Sequence, residues 1–102
     1  MPSKSPGIFP AESKLLADFG ERLKLARLRR KLSTMTVAAR SSISRPTLVK
    51  AETGDSSVTL GTYLRILKVY GLEAGLDALA ADDKLGRRLQ DLDIKTPRKG
   101  SR

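Results

Sequence analysis

The chain has no cysteine and no histidine among its 102 residues. Their absence excludes disulfide scaffolds, thiolate zinc sites, imidazole bases and the nucleophile pairs that need either residue. The sequence also lacks a GxxxxGK[ST] phosphate loop and a cluster of metal-ligating residues. We therefore predict no catalytic residues, no metal site and no cofactor, and we predict that the protein is not an enzyme.

Aromatic residues are scarce as well, with two Phe, two Tyr and no Trp. The core must therefore come from Leu, Ile, Val and Ala. This composition favours a helical bundle over a sheet, because sheets draw on aromatic and β-branched residues. A chain of 102 residues accommodates one domain with tails.

Long apolar runs are missing too, since none approaches the roughly 18 residues that a membrane span requires. The N-terminus has no apolar stretch typical of a secretion signal, so we expect a cytoplasmic protein without membrane contact. Residues 1–10 contain three prolines and a glycine, which predicts a flexible N-terminal arm. Residues 94–102 are basic and contain a proline and a glycine, which predicts a flexible tail.

Acidic residues are absent from residues 22–50, which hold nine basic residues. The rest of the chain has eleven basic and eleven acidic residues, so the net charge of +9 belongs entirely to this stretch. A positive charge concentrated in this way indicates a polyanionic partner. The nine basic residues are Arg22, Lys24, Arg27, Arg29, Arg30, Lys31, Arg40, Arg45 and Lys50.

Helical periodicity predicts an all-α fold in which five helices form a compact bundle and a short sixth helix follows. The first helix is expected from residue 11 to about residue 31, the fourth from residue 60 to residue 70, and the fifth from residue 73 to residue 81. Leu76 and Leu79 of the fifth helix are expected to face inward. The apolar face of the first helix is predicted to be Leu15, Leu16, Phe19, Leu23 and Ala26.

The second and third helices have the dimensions of a helix-turn-helix unit, with a first helix over residues 34–40 and a second over residues 45–52. Ser33, Ser44 and Thr59 are predicted N-caps, and Pro46 suits the first turn of its helix. In such a unit the second helix buries one face on the first helix and offers the other to the major groove. Leu48 is expected on the buried face.

These residues resemble the Cro/C1-type (XRE-like) helix-turn-helix repressors. The resemblance rests on FGERLKLARLRR, TMTVAARSSISRPTLVKAETG and GTYLRILKVYGL within residues 19–72. It implies a helix-turn-helix DNA-binding domain over residues 11–81, with a separate helical segment at residues 82–93. It also implies double-stranded DNA with a palindromic operator as the partner, and a homodimer as the binding form.

Carried over by position, the resemblance assigns roles to individual residues. It implies base reading by Arg45, Pro46, Thr47, Val49 and Lys50. It implies phosphate binding by Ser33, Thr34, Arg40 and Ser44. Arg27 and Glu52 match an ion pair that joins the first and third helices. The alternative for Arg45 is a solvated surface arginine, and Lys50 is equally compatible with a base, a phosphate or solvent. For Arg29 and Arg30 a favourable interaction with the helix dipole is preferred, and the alternative is long-range attraction to the duplex.

Three positions depart from the family's pattern. Thr34 stands where the family usually has a Gln that supports the reading helix, and Ser42 and Lys31 stand where Gly is common. A residue other than glycine in a left-handed conformation costs about 1 kcal/mol. The departures therefore predict mild backbone strain at two helix ends, and the missing Gln removes support for assigning a phosphate contact to Thr34.

A narrower resemblance covers GDSSVTLGTYLRILKVYGLEAGLDALAADDKLGRRLQDL, which is similar to the HipB-like antitoxins. It implies an autoregulating antitoxin that acts in the bacterial nucleoid and binds a HipA-type kinase toxin. The alternative is a stand-alone phage-type or metabolic regulator without a toxin partner. Leu85, Leu89 and Leu92 form a stripe that is either packed on the protein's own core or is a surface for a second subunit or partner.

Overall fold

The computed structural model describes residues 8–93, in which every regular element is a helix. Five α-helices are present: α1 (Pro10–Arg29), α2 (Thr34–Ser41), α3 (Arg45–Glu52), α4 (Leu60–Val69) and α5 (Lys84–Asp93). A 3-10 helix at Glu73–Ala78 lies between α4 and α5. The predicted all-α fold is confirmed. Most of the predicted N-terminal arm and the whole predicted C-terminal tail lie outside the described residues.

Helix α1 begins one residue earlier than the sequence predicts, because Pro10 is its first residue. The expected arm therefore does not extend to residue 10. Proline is well suited to the first position of a helix, where the N–H that it lacks would be unpaired in any case. The carboxylate of Glu12 accepts a hydrogen bond from the N–H of Phe9 at 3.1 Å, which satisfies one of the other free donors at this end.

The predicted N-caps are present at the next three α-helices. The side-chain oxygens of Ser33, Ser44 and Thr59 each accept a hydrogen bond from the backbone N–H three residues later. Each cap satisfies one of the four N–H groups that a helix start leaves without a partner. These local hydrogen bonds explain why α2, α3 and α4 begin where the sequence predicts.

The C-terminal ends of α1 and α2 use a left-handed residue that is not glycine. Lys31 has φ 56° and Ser42 has φ 60°, as their places in the sequence pattern predict. In both turns a backbone N–H bonds a carbonyl five residues earlier, from Leu32 to Arg27 O at 3.2 Å and from Ile43 to Ala38 O at 3.0 Å. This hydrogen bond defines the Schellman-type end of a helix and offsets the strain of the left-handed residue.

The core lies among the first four helices. α3 packs against α1 and α2, and α2 also packs against α4, so α3 is held from two sides. Phe19, Leu32 and Ile43 pack around this core, and Ile43 does so from the turn between α2 and α3. The buried hydrophobic residues are Leu23, Ala26, Val37, Ala38, Leu48, Ala51, Tyr63, Ile66 and Tyr70.

Two predictions about the core are wrong. Leu15, expected on the buried face of α1, is exposed, because it lines a groove beside α4 and the 3-10 helix that no other part of residues 8–93 fills. The fifth helix is a 3-10 helix that ends at Ala78, and Leu79 is exposed rather than inward, whereas Leu76 is half-buried. Glycine at position 75 and the short length of the segment both disfavour a regular α-helix here.

Helix α5 has no buried residue. Leu85, Leu89 and Leu92 are all exposed, so this stripe is not part of the protein's own core. Asp83 caps the helix by accepting a hydrogen bond from the N–H of Gly86 at 2.9 Å. Of the two alternatives that the sequence leaves open for the stripe, packing on the core is therefore wrong.

Two helical glycines predict opposite effects of the same substitution. A Cβ at Gly20 would lie 2.5 Å from Gly54 N and 2.8 Å from the carbonyl oxygens of Ala51 and Glu52, so alanine would push α1 away from α3. We expect Gly20→Ala to lower the free energy of unfolding by about 1–3 kcal/mol. A Cβ at Gly61 meets nothing closer than Thr59 Oγ1 at 3.9 Å, so Gly61→Ala should raise it by about 0.5 kcal/mol.

Urea unfolding followed by circular dichroism measures both changes. A neutral or stabilising effect of Gly20→Ala would contradict the close approach of α1 to the end of α3. Gly61→Ala is the matched control, because it makes the same chemical change in a helix with open space around it.

The two buried tyrosines predict different effects of losing a hydroxyl. The Tyr63 hydroxyl donates to Asp55 O at 3.0 Å, whereas the buried Tyr70 hydroxyl has no hydrogen-bond partner among residues 8–93. We expect Tyr63→Phe to cost about 1 kcal/mol and Tyr70→Phe to be neutral or mildly stabilising near pH 7. Equal losses in the two variants, measured by urea unfolding, would contradict this difference.

The buried hydroxyl of Tyr70 also predicts a loss of folding stability at high pH. Burial raises the pKa of Tyr70 from 10.0 to about 12. Because the pKa of Tyr70 is higher in the folded than in the unfolded protein, its contribution to the free energy of unfolding is fully present below pH 10. This contribution is lost as the pH rises from 10 toward 12. For one group the slope is at most about 1.4 kcal/mol per pH unit. Between pH 10 and pH 12 the thermal unfolding midpoint should fall less steeply for Tyr70→Phe than for the unmodified protein. Parallel curves would contradict the raised pKa of Tyr70.

Candidate nucleic-acid interface

The α2–α3 unit has the geometry of a helix-turn-helix. α2 ends at Ser41, one residue later than predicted, and the turn that follows begins with the left-handed Ser42. Ile43 is half-buried beneath the two helices. Arg45–Glu52 then forms α3 within the bounds that the sequence predicts. An apolar residue in the turn fixes the angle between the two helices, because it packs against both.

α3 has two chemically different sides. Leu48 and Ala51 are fully buried against the other helices. The opposite side is open to solvent, and at its centre Val49 is 49% exposed. An outward-facing helix with an anchored inner face can enter the major groove without disturbing the core. The exposed residues of this side are Arg45, Pro46, Val49 and Lys50.

Thr47 differs from the other residues of the predicted reading face. It is half-buried, and its hydroxyl oxygen lies 2.8 Å from Ser44 Oγ. Its backbone N–H donates to the same serine oxygen at 3.2 Å. Thr47 therefore closes the cap of α3 in this structure, and its hydroxyl is engaged within the protein.

The predicted phosphate-binding serines are engaged in the same way. Ser33 Oγ accepts from Thr36 N at 3.0 Å, and Ser44 Oγ accepts from Thr47 N at 3.2 Å. Both serines are exposed, and the helix starts that they cap carry partial positive charge. An anion would meet the remaining N–H groups of the first turn, although Pro46 removes one of these donors at α3.

Arg45 and Thr34 connect the two helices of the unit. Arg45 Nε donates to Thr34 Oγ1 at 3.2 Å, so the guanidinium lies across the gap between the start of α3 and the start of α2. The family's usual Gln is missing at Thr34, which removes support for a phosphate contact there. The structure gives Thr34 a different task, since its hydroxyl orients the exposed arginine.

The ion pair between Arg27 and Glu52 is present and fixes α3 on α1. Arg27 Nε lies 2.7 Å from Glu52 Oε2, and the second guanidinium nitrogen reaches Glu52 Oε1 at 3.0 Å. The two side chains are 10% and 7% exposed, so this bidentate pair is shielded from water. The hydrogen bond to Glu52 raises the pKa of Arg27 above its ordinary value. Arg27 also donates to Leu32 O at 3.1 Å, which ties down the turn after α1.

Arg30 has a structural role that its position in a basic run conceals. Its guanidinium lies 5.4 Å from the centre of the Tyr70 ring and donates to Tyr70 O at 3.0 Å. It also donates to Ala26 O at 3.0 Å, near the end of α1. These contacts support the interpretation that Arg30 interacts favourably with the C-terminal end of α1. They also join α1 to the end of α4. Arg29 is exposed.

Arg40 lies apart from the other predicted phosphate-binding residues. It is near the C-terminal end of α2, about 9 Å along the helix axis from Thr34. There it lines a cleft of about 520 Å³ together with Arg65 and Lys68 of α4. The charge pattern of residues 22–50 missed these two cations, because they belong to a later segment in which acids and bases cancel. Their spacing of three residues on one helix was the available signal.

Comparison with known proteins agrees with this geometry. A family model described as a helix-turn-helix domain matches residues 18–82. No curated protein matches the chain in a direct sequence comparison. No helix within residues 8–93 is long and apolar enough to span a membrane. The matched range includes α2, α3, α4 and most of α1, and the chain therefore belongs to the helix-turn-helix family of the Cro/C1 (XRE-like) type, as a DNA-binding regulator.

Proposed function

We propose that the protein is a sequence-specific transcriptional repressor that binds a palindromic operator as a homodimer. The observation that carries the proposal is the two-sided α3, whose inner residues are buried while Arg45, Val49 and Lys50 are open to solvent. In this proposal the start of α3 enters the major groove. Arg45 hydrogen-bonds a guanine edge, and Lys50 contacts a neighbouring base or phosphate.

The surroundings of α3 supply the affinity in this proposal. The starts of α2 and α3 offer backbone N–H groups and positive dipole ends to the phosphates on either side. The net positive charge of residues 22–50 attracts the duplex from a distance. The Arg27–Glu52 pair contributes by holding α3 at a fixed angle, so that its outer side meets the groove in one orientation.

The direct test is footprinting and affinity measurement on the DNA upstream of the protein's own gene. A homodimer should protect two half-sites about 34 Å apart, which is one helical turn. If the dimer neutralises about six to eight phosphates, log affinity should fall with log salt with a slope of about −5 to −7. A flat response to salt, or protection without two-fold symmetry, would contradict the proposal.

The proposal extends to an autoregulating antitoxin that acts in the bacterial cytoplasm at the nucleoid and holds a HipA-type kinase inactive. It is supported by the resemblance of residues 54–92 to HipB-like antitoxins. Co-expression tests it: the chain should co-purify with a kinase encoded beside it and relieve the kinase's toxicity. Failure of both would leave a stand-alone regulator.

A further inference from the structure

We propose that two copies of this chain pair by exchanging α5, each inserting its leucine stripe into an apolar groove on the other. The inference rests on the proposed function only in supplying the two-fold dimer that a palindromic operator needs. Its basis is that the chain carries two unpartnered apolar surfaces, a groove and a helix face, within the described residues.

The groove lies between three elements: residues 15–22 of α1, helix α4 and the 3-10 helix. It has a volume of about 550 Å³ and is lined almost wholly by apolar side chains. Four of its leucines are exposed, from 43% at Leu72 to 69% at Leu15. Exposed apolar surface of this kind marks an interaction site in a small protein. The four leucines are Leu15, Leu60, Leu72 and Leu79.

The helix face that fits this groove is on α5. Leu85, Leu89 and Leu92 recur at helical spacing on one side and are 56–67% exposed. The other side of α5 is charged, so the helix is amphipathic. Its leucine side is not covered by another part of residues 8–93. An amphipathic helix of this type is stabilised by docking its apolar side, since a ten-residue helix is marginal on its own.

The connection between groove and helix favours exchange over folding back. Only residues 80–83 separate Leu79 from α5, and Ala80 has φ 62°, a strained conformation for alanine. Two exposed contacts accompany this connection, since Arg87 pairs with Asp82 at 3.1 Å and donates to Ala81 O at 3.5 Å. A short hinge that directs a helix away from its own domain is the usual starting point for an exchanged dimer.

Charge and two-fold symmetry are compatible with a second copy as the occupant. Arg88 flanks the stripe on α5, and Glu73 and Asp77 lie on the 3-10 helix beside the groove. None of these three forms an ion pair within residues 8–93, so the exchange would bring Arg88 of one copy near the two carboxylates of the other. Each copy contributes both its groove and the leucine side of its α5, so a two-fold dimer contains two such contacts.

The groove also leaves the DNA-binding side free. Of its lining residues, only Arg22 belongs to the basic stretch at residues 22–50. The exposed side of α3 contributes nothing to it. A dimer joined in this way therefore keeps both copies of α3 available for two half-sites.

The absence of cysteine makes a cross-linking test clean, because each introduced thiol is the only one in its chain. We would mix Leu15→Cys and Leu89→Cys variants and treat them with a short bis-maleimide linker. Exchange predicts that the mixed pair is the main covalent product. A main product of Leu89→Cys with itself would mean that two stripes meet each other, and this would overturn the proposal.

A double variant distinguishes exchange from folding back. Leu15→Cys/Leu89→Cys should form a covalent dimer, whereas a cross-linked species of 11.1 kDa would show that α5 fills its own groove. The unmodified protein should have twice the monomer mass by sedimentation at micromolar concentration. A monomer at every concentration would overturn the proposal and leave the groove for another partner, such as a kinase.

Charged substitutions supply the energetic test. Leu89→Asp on α5 and Leu15→Asp in the groove should each raise the dimer dissociation constant about 100-fold, because each change occurs twice per dimer. Leu28→Asp is the matched control, since Leu28 is an exposed leucine of the same helix as Leu15 but lies outside the groove. If Leu89→Asp and Leu15→Asp remain dimeric, the exchange is wrong, even where operator binding stands. An exchanged dimer that binds no operator would contradict the repressor proposal and leave the exchange proposal intact.

Discussion

Arg45→Ala is expected to remove most of the protein's preference for its operator over unrelated DNA. A guanidinium that bridges guanine O6 and N7 contributes about 1–3 kcal/mol of discrimination, and the proposed homodimer would lose this contact twice. The ratio of specific to non-specific affinity should therefore fall by at least about 30-fold. The structure makes this residue the first choice, because it is exposed at the start of α3 and its Nε is oriented by Thr34 Oγ1 at 3.2 Å.

Arg29→Ala is the matched control for Arg45→Ala. It removes the same charge from an exposed arginine of the basic stretch, but from α1 rather than from α3, the proposed reading helix. It should weaken binding to all sequences evenly and make the salt slope shallower. Binding titrations of both variants on operator and random duplexes measure the difference. Normal sequence preference in Arg45→Ala would show that the reading face is assigned to the wrong side of α3.

Arg27→Met is expected to destabilise the fold more than the other substitutions considered. It leaves the carboxylate of Glu52, whose side chain is 7% exposed, without its bidentate partner. Removing one member of a buried ion pair costs about 3–5 kcal/mol, because the other charge stays buried and unpaired. This is a large share of the roughly 5–15 kcal/mol that stabilises a small domain. Urea unfolding should show the midpoint moving strongly to lower denaturant.

Two further variants show whether the loss comes from the ion pair. Arg27→Met/Glu52→Leu removes both charges and should be more stable than Arg27→Met alone. Asp18→Ala breaks the exposed Lys14–Asp18 pair, whose side chains are 77% and 50% exposed, and should cost less than about 0.5 kcal/mol. Equal losses for Arg27→Met and Asp18→Ala would mean that the contact between α1 and α3 does not depend on this pair.

Local chemistry explains what was predictable from sequence. Ser33, Ser44 and Thr59 begin helices because a short oxygen side chain reaches the N–H three residues ahead, and this needs no tertiary contact. Gly54 and Gly71 adopt left-handed conformations at helix ends, because a residue without a Cβ can take a positive φ without a steric penalty. The charge of residues 22–50 is likewise a property of composition. The roles of the individual base-reading and phosphate-binding residues remain predictions.

Contacts between distant segments explain what was not predictable. Arg30 belongs to a basic run in the sequence, but in the fold it lies on the ring of Tyr70, forty residues away. Arg65 and Lys68 join Arg40 in a cleft only because α4 packs on α2. The engagement of Thr34 by Arg45 depends in the same way on the angle between two helices.

The sequence by itself determined where α2, α3 and α4 begin, where they end to within one residue, which side of α3 faces inward, and where the net charge lies. Each of these follows from spacing, caps and composition within a few residues. Only the tertiary structure decided which apolar faces are covered: Leu23 and Leu48 are buried, whereas Leu15, Leu79 and the stripe on α5 are not. Periodicity specifies that a helix has an apolar face, but burial depends on whether another element lies against that face.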